Sequence, residues 1–303
     1  MSAGGHPADT GLASGVDPLR LVNLQFLMHR TAGSSHVTVG MIDGPVLIHH
    51  PALASEHVRE IGGVHSGTCV SRSHPACVHG TFIAGILAAR RGSGAPAICP
   101  DCDICVHTIF TDRAADGQPP SASPQDLSEA IMNCIAVGAS VINISAALYE
   151  SGAQRERLLT HALDVAASRG VVVVVAAGND GAIGSTALTG HPWVIPVVGA
   201  YPDGRPMVRS NYSRSIGQHG LGGPGSDVTS LGSDGGLLTS GGTSVAAPFV
   251  SGAIALLWSE FPSASGAEIK RAVSSGGRRT SVVPPLLDAR RSYEAIDRRS
   301  VYV

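Results

Sequence analysis

Lysine is nearly absent from this chain: of 21 cationic residues in 303, Lys270 is the sole lysine and the rest are arginines. No G-K-[ST] phosphate loop can therefore exist, and Lys270 is the only candidate for a Schiff base or a Ser–Lys dyad. Charge of either sign is scarce, at 15% of residues with a formal net charge of −2. That balance excludes a nucleic-acid binder held by phosphate contacts and a polybasic membrane anchor. No apolar run reaches the roughly 18 residues needed to span a bilayer. No HExxH metal motif, EF-hand loop or internal repeat occurs. Histidines such as His49, His50 and His57 are read as surface residues, and no metal or cofactor is expected.

The first residues lack the basic and apolar regions of a secretory signal, and their Gly, Ser, Ala and Pro content reads as a flexible leader. The expected organisation is a flexible segment over 1–20 and a single domain over 21–303. The expected location is cytoplasmic; a secreted protein would require a pro-segment not in this sequence. Six cysteines are present. Cys69 and Cys77 close the easiest disulfide loop, while Cys99, Cys102 and Cys105 offer three thiolates to zinc as an alternative. Asp101, Asp103, Asp112 and Asp116 are acidic enough for a calcium loop but lack its spacing.

Apolar runs alternate with helical patterns, which predicts an α/β fold with a mostly parallel central sheet and helices on both faces. Strands are expected at 37–42, 104–110, 141–145, 171–177 and 193–198. Helices are expected at 80–90, 124–137 (with Ser123 as N-cap), 153–169 (ended by Gly170), 245–258 and 265–274. Residues 221–242 are read as a Gly-rich loop, and 286–296 as a closing segment.

Open parallel sheets place their sites at the carboxyl ends of the strands. Asp43 closes the first predicted strand, and Asn179 follows the run 171–177. His79 is expected to open the first strong helix, and Ser244 sits where the long helix begins. A serine nucleophile needs a base, a carboxylate to orient that base, and donors for the oxyanion. These residues supply one of each.

The local sequences resemble those of subtilisin-type serine peptidases. His79-Gly80-Thr81-Phe82-Ile83-Ala84-Gly85 is similar to the family's histidine motif, and Gly242-Thr243-Ser244-Val245-Ala246-Ala247-Pro248 to its serine motif. Ala176-Ala177-Gly178-Asn179 is similar to its oxyanion motif. The order Asp43, His79, Ser244 is the order of subtilisin. One departure stands out: Asp43-Gly44-Pro45 replaces the family's Asp-Ser/Thr-Gly. The resemblance implies a three-layer subtilisin-like fold and a triad of Asp43, His79 and Ser244. It also implies an oxyanion donor at Asn179, and a cleft lined by Ser145, Ala146, Ala147, Ala176, Ala177 and Gly178. The substrate would be a peptide or precursor protein, with neither nucleic acid nor membrane as partner.

A narrower resemblance is to the peptidases that mature cyanobactin-type ribosomal peptides. It rests on Asp43-Gly44-Pro45, the His74-Pro75-Ala76-Cys77-Val78-His79 run, Ala97-Ile98-Cys99-Pro100-Asp101-Cys102, and the stretch from His191 to Val198. The cyclising members carry an additional helical cap, and the 35 residues Gly44 to Val78 leave little room for one. Leader cleavage or simple hydrolysis is therefore expected over macrocyclisation. A general degradative subtilase and an inactive peptide-binding relative are the alternatives.

Overall fold

The computed structural model describes residues 17–62, 69–110, 123–145, 153–275, 279 and 282–300. Seven parallel strands form the sheet: β1 (Thr38–Asp43), β2 (Val58–Glu60), β3 (Asp103–Thr108), β4 (Val141–Ile144), β5 (Val172–Ala176), β6 (Val194–Ala200) and β7 (Leu221–Pro224). Their spatial order is β2-β3-β1-β4-β5-β6-β7. After β3 the chain crosses to β4 on the other side of β1, so the order reverses at β1. The carboxyl ends of β1 and β4 flank that crevice, with β5 next beyond β4; such a crevice is where an open α/β sheet binds its ligand.

Alternation along the strands builds two cores. Val39, Met41, Ile104, Val106, Val172 and Val174 face one layer, with α3 (Pro75–Ala88) and α8 (Thr243–Glu260). Ile42, Cys105, Ile109, Val173 and Val175 face the other, with α4 (Pro124–Ala136) and α5 (Ala153–Arg169). Burial on both sides explains why β5 reads as a continuous valine run. The helix boundaries follow local chemistry. Ser123 and Asp126 form a reciprocal capping box at the start of α4. Gly170, at φ +71°, takes the left-handed position that ends α5.

Several expectations require correction. Residues 221–242 are not all loop. They hold β7 and an antiparallel hairpin of β8 (Val228–Leu231) and β9 (Leu237–Ser240), four-residue strands hidden among turn-forming glycines. A short helix at Pro18–Leu21, capped by the Asp17 carboxylate, lies inside the stretch read as flexible; residues 1–16 are outside the described residues. Helix α3 begins at Pro75, with the His74 ring accepting from Ala76 N, so His79 lies in its second turn and does not open it. His50 is buried, because the chain over 46–54 tucks beneath α3: Thr81 Oγ1 accepts from Leu47 N, and Ala88 O from Ala54 N. His57 is partly covered and paired with Asp103 at 3.1 Å.

Cys69 and Cys77 form a disulfide. The three cysteines weighed as a zinc set are split: Cys99 and Cys102 lie in one core and Cys105 in the other, on opposite faces of the sheet. Asp112 and Asp116 fall outside the described residues. Among the described residues no helix is long and apolar enough to cross a membrane.

Candidate active site

Asp43 ends β1 and is fully buried, at 0% exposure. Its Oδ1 accepts from Gly44 N at 2.6 Å and lies 2.7 Å from His79 Nδ1. The geometry assigns the proton to Nδ1, since a carboxylate accepts and cannot donate, and leaves Nε2 with its lone pair. Partial burial of the ring favours neutral imidazole. The charge of Asp43 and its hydrogen bond outweigh that, so the His79 pKa stands above its ordinary value.

Glycine explains how α3 reaches this carboxylate. A Cβ on Gly44 would collide with the Ala76 carbonyl, and one on Gly80 with the carbonyls of Gly44 and Pro45. The Asp43-Gly44-Pro45 turn is thus a bed on which the backbone of α3 lies, and that contact sets His79 beside Asp43. The departure from the family's usual aspartate motif is a packing solution.

Ser244 belongs to the first turn of α8, which has no side-chain cap; its N-cap residue is Gly242, at φ +141°. A Cβ placed on Gly242 would lie 3.4 Å from the Asn179 amide and 3.6 Å from Ser244 Oγ, so both groups face one small space. Asn179 Oδ1 accepts from Thr243 N at 2.9 Å, which leaves its Nδ2 as a free donor beside that space. Thr243 Oγ1 accepts from Gly178 N at 3.1 Å, tying the Asn179 loop to the start of α8.

Ser145 follows β4 and is buried. Pro248, inside α8, has no N–H to give to Ser244 O four residues earlier. Ser145 Oγ donates to that orphaned carbonyl at 3.3 Å and accepts from Asn143 Nδ2 at 2.8 Å. Ser251 Oγ donates to Asn143 Oδ1 at 2.8 Å. A chain of hydrogen bonds, buried except at its last, partly buried link, thus joins the end of β4 to the backbone of Ser244.

The structure brings Asp43 and His79 into direct contact. It gathers Ser244, Asn179, Gly178 and Ser145 around the start of α8. No hydrogen bond joins His79 to the Ser244 hydroxyl among the described residues. Unliganded sites often hold this bond loosely until substrate closes it. Ala176 and Ala177 are buried at the end of β5, while Ala146 and Ala147 lie outside the described residues. Lys270 is elsewhere, donating to Pro192 O at 2.7 Å over the Trp193 ring. Beside Asn179 opens a cavity of about 340 Å³, which Met207, Arg209 and Asp227 help to line.

Sequence reasoning passed over Thr243, Asn143 and Asn211. Asn211 Oδ1 accepts from Asp180 N and Ala182 N and so shapes the Asn179 loop. Thr243 lies within the serine motif and was within reach; Asn143 and Asn211 carry no local signal.

The chain is similar to subtilisin DY of Bacillus licheniformis, 29% identical over 245 residues, 80% of this chain and 83% of that protein. It is 31% identical to a subtilisin of Bacillus pumilus over 248 residues, with the same shares of each. It spans 61% of the subtilisin of Bacillus sp. (strain TA39). Among solved structures, the protease domain of PatA superposes with a TM-score of 0.78 at 25% identity, covering 88% of this chain and 97% of that one. The prenylagaramide maturation protease PagA superposes equally well, at 25% identity, with 90% and 98% covered. The subtilase family model matches residues 34–280. With the seven-stranded parallel sheet and the site at its switch point, this chain belongs to the subtilase family, peptidase family S8.

Proposed function

We propose that this chain is a serine endopeptidase acting through Asp43, His79 and Ser244. The observation that carries the reading is the 2.7 Å contact between the His79 imidazole and the fully buried Asp43 carboxylate at the end of β1. Ser244 Oγ attacks the scissile carbonyl while His79 Nε2 takes its proton, then returns it to the departing amine. Asp43 holds the ring in the tautomer that leaves Nε2 basic and stabilises the imidazolium. Asn179 Nδ2 and the backbone N–H of Ser244 hold the oxyanion. The peptide lies extended along the end of β4, with Ser145 on one side and Ala176, Ala177 and Gly178 on the other.

The substrate is a ribosomally made precursor peptide from which this enzyme cleaves the leader. Support comes from the fold likeness to PatA and to a protein named as a maturation protease. Between Asp43 and α3, the described residues hold one 3-10 turn and the short strand β2, with no pair of α-helices such as a cap requires. A fluorophosphonate is expected to label wild type and not Ser244→Ala, with the fold of the variant intact; labelling that survives the substitution defeats the triad. Incubation with a precursor peptide is expected to give linear products with one water added. A product lighter by one water would mean cyclisation, and rapid degradation of casein would mean a general protease.

A further inference from the structure

One oxygen of the triad carboxylate has no donor. Asp43 Oδ1 takes two hydrogen bonds, whereas Oδ2 is buried with no partner among the described residues. Gly44, next along the chain, offers only the N–H already given to Oδ1. A buried carboxylate oxygen without a donor is costly, so its partner must come from another element.

The neighbouring strand presents one. Asp43 and Thr108 are cross-strand partners at the ends of β1 and β3, and Ile109 N donates to Asp43 O at 2.9 Å. Aligned residues of a parallel pair project to the same face. Met41 and Val106, one pleat earlier on each strand, both enter the core under α3 and α8, while Ile42 and Ile109 enter the opposite one. Asp43 and Thr108 therefore point together to the side on which His79 sits. Thr108 is 2% exposed, and its Oγ1 is likewise buried with no partner among the described residues. An orphaned hydroxyl donor and an orphaned acceptor thus sit on the same face of paired strands whose backbones run about 4.8 Å apart, a spacing that a direct bond or one bridging water can span.

We propose that Thr108 is a positioning residue of the triad, its hydroxyl donating to Asp43 Oδ2 and fixing the tilt at which Oδ1 meets His79. The proposal rests on the reading of Asp43 and His79 as a catalytic pair. Thr108 acts through Asp43 and touches no substrate. Its hydroxyl spreads the charge of the carboxylate that holds the His79 pKa above its ordinary value.

The test uses the full chain with Thr108→Val, which keeps shape and removes the hydroxyl, and Thr108→Ser, which keeps the hydroxyl. The His79 pKa is read by NMR titration, and the reactivity of Ser244 by its rate of fluorophosphonate labelling. Thr108→Val is expected to raise the imidazole pKa by about half a unit, because the carboxylate loses a donor and concentrates its charge. It is expected to slow labelling about tenfold, the scale of one charge-assisted bond. Thr108→Ser is expected to restore both. Thr108→Ala, with the same expected direction, serves if the valine variant does not fold. An imidazole pKa equal in wild type and Thr108→Val overturns the proposal, as does a serine variant that behaves like valine. A wild-type protein that does not label, with an imidazole that still responds to Thr108→Val, upholds Thr108 and overturns the peptidase reading.

Discussion

The two halves of the site are built from different physics. The Asp43–His79 half rests on a buried charge, and α3 reaches it because Gly44 and Gly80 let backbone lie on backbone. In the Ser244–Asn179 half, no charged group takes part in the hydrogen bonds that hold the nucleophile and the oxyanion donor. This half rests on neutral hydrogen bonds radiating from the first turn of α8: Thr243 to the Asn179 loop, and Ser145 to the carbonyl that Pro248 leaves without its helical donor. The first half responds to pH and to any volume added at the turn. The second, held by neutral hydrogen bonds, is sensitive chiefly to loss of a donor or acceptor.

The largest effects fall on the groups that react. Ser244→Ala or His79→Ala should abolish turnover, by about a million-fold, the scale seen for the equivalent residues of subtilisin itself. Single-turnover cleavage of a peptide measures it, and residual activity well above that level would show that another nucleophile operates. Next comes the neutral half. Asn179→Ala should lower kcat by about 10²–10³-fold, the loss that the corresponding donor of subtilisin itself shows. KM should change little, since the carbonyl needs this donor chiefly once it carries charge. A matching rise in KM would instead mean that Asn179 mainly shapes the loop.

On the charged half, a structural change should do what a chemical one does on the other. Gly44→Ala adds one methyl where the Ala76 carbonyl already sits. It should destabilise the protein by about 1–3 kcal/mol and slow fluorophosphonate labelling, because α3 must retreat and carry His79 with it. Thermal unfolding together with labelling separates the two. A variant with lowered stability and undiminished labelling would show that His79 is held independently of the turn.

Much of this arrangement is legible in the residues, for a physical reason. Asp43, His79, Ser244 and Asn179 each sit within a short segment whose neighbours are constrained by backbone packing, such as Gly80 against the turn and Gly242 at φ +141°. Such constraints leave a local imprint. The parallel strands leave one too, as valine-rich runs buried on both sides. What is not legible depends on residues distant in sequence. Asn143, Asn211 and Thr108 gain their roles only when strands and loops come together, and nothing beside them marks it. The β8–β9 hairpin escaped because four-residue strands with glycine on both sides read as turns. The start of α3 escaped because the His74-Pro75 cap lies in a polar stretch, well before the apolar run that announces the helix.

The gentlest way to tell the halves apart is to change the pH. Labelling of Ser244 needs neutral His79, so its rate should climb as the imidazole loses its proton, with a midpoint above the roughly 6.5 of a free histidine. Stability should run the other way. A group whose pKa is raised by folding contributes stability in full below its unfolded value, and that contribution fades as pH rises through the folded pKa. His79 should therefore make the fold slightly less stable over the same interval in which the enzyme becomes active. Because the side chain is 35% exposed, the stability change is expected to be small beside the change in rate. His79→Gln should remove this pH-dependent increment and leave the rest of the stability profile in place. Denaturant midpoints across that interval for wild type and variant measure the difference, and parallel profiles would mean that Asp43 holds the charged and neutral ring equally well.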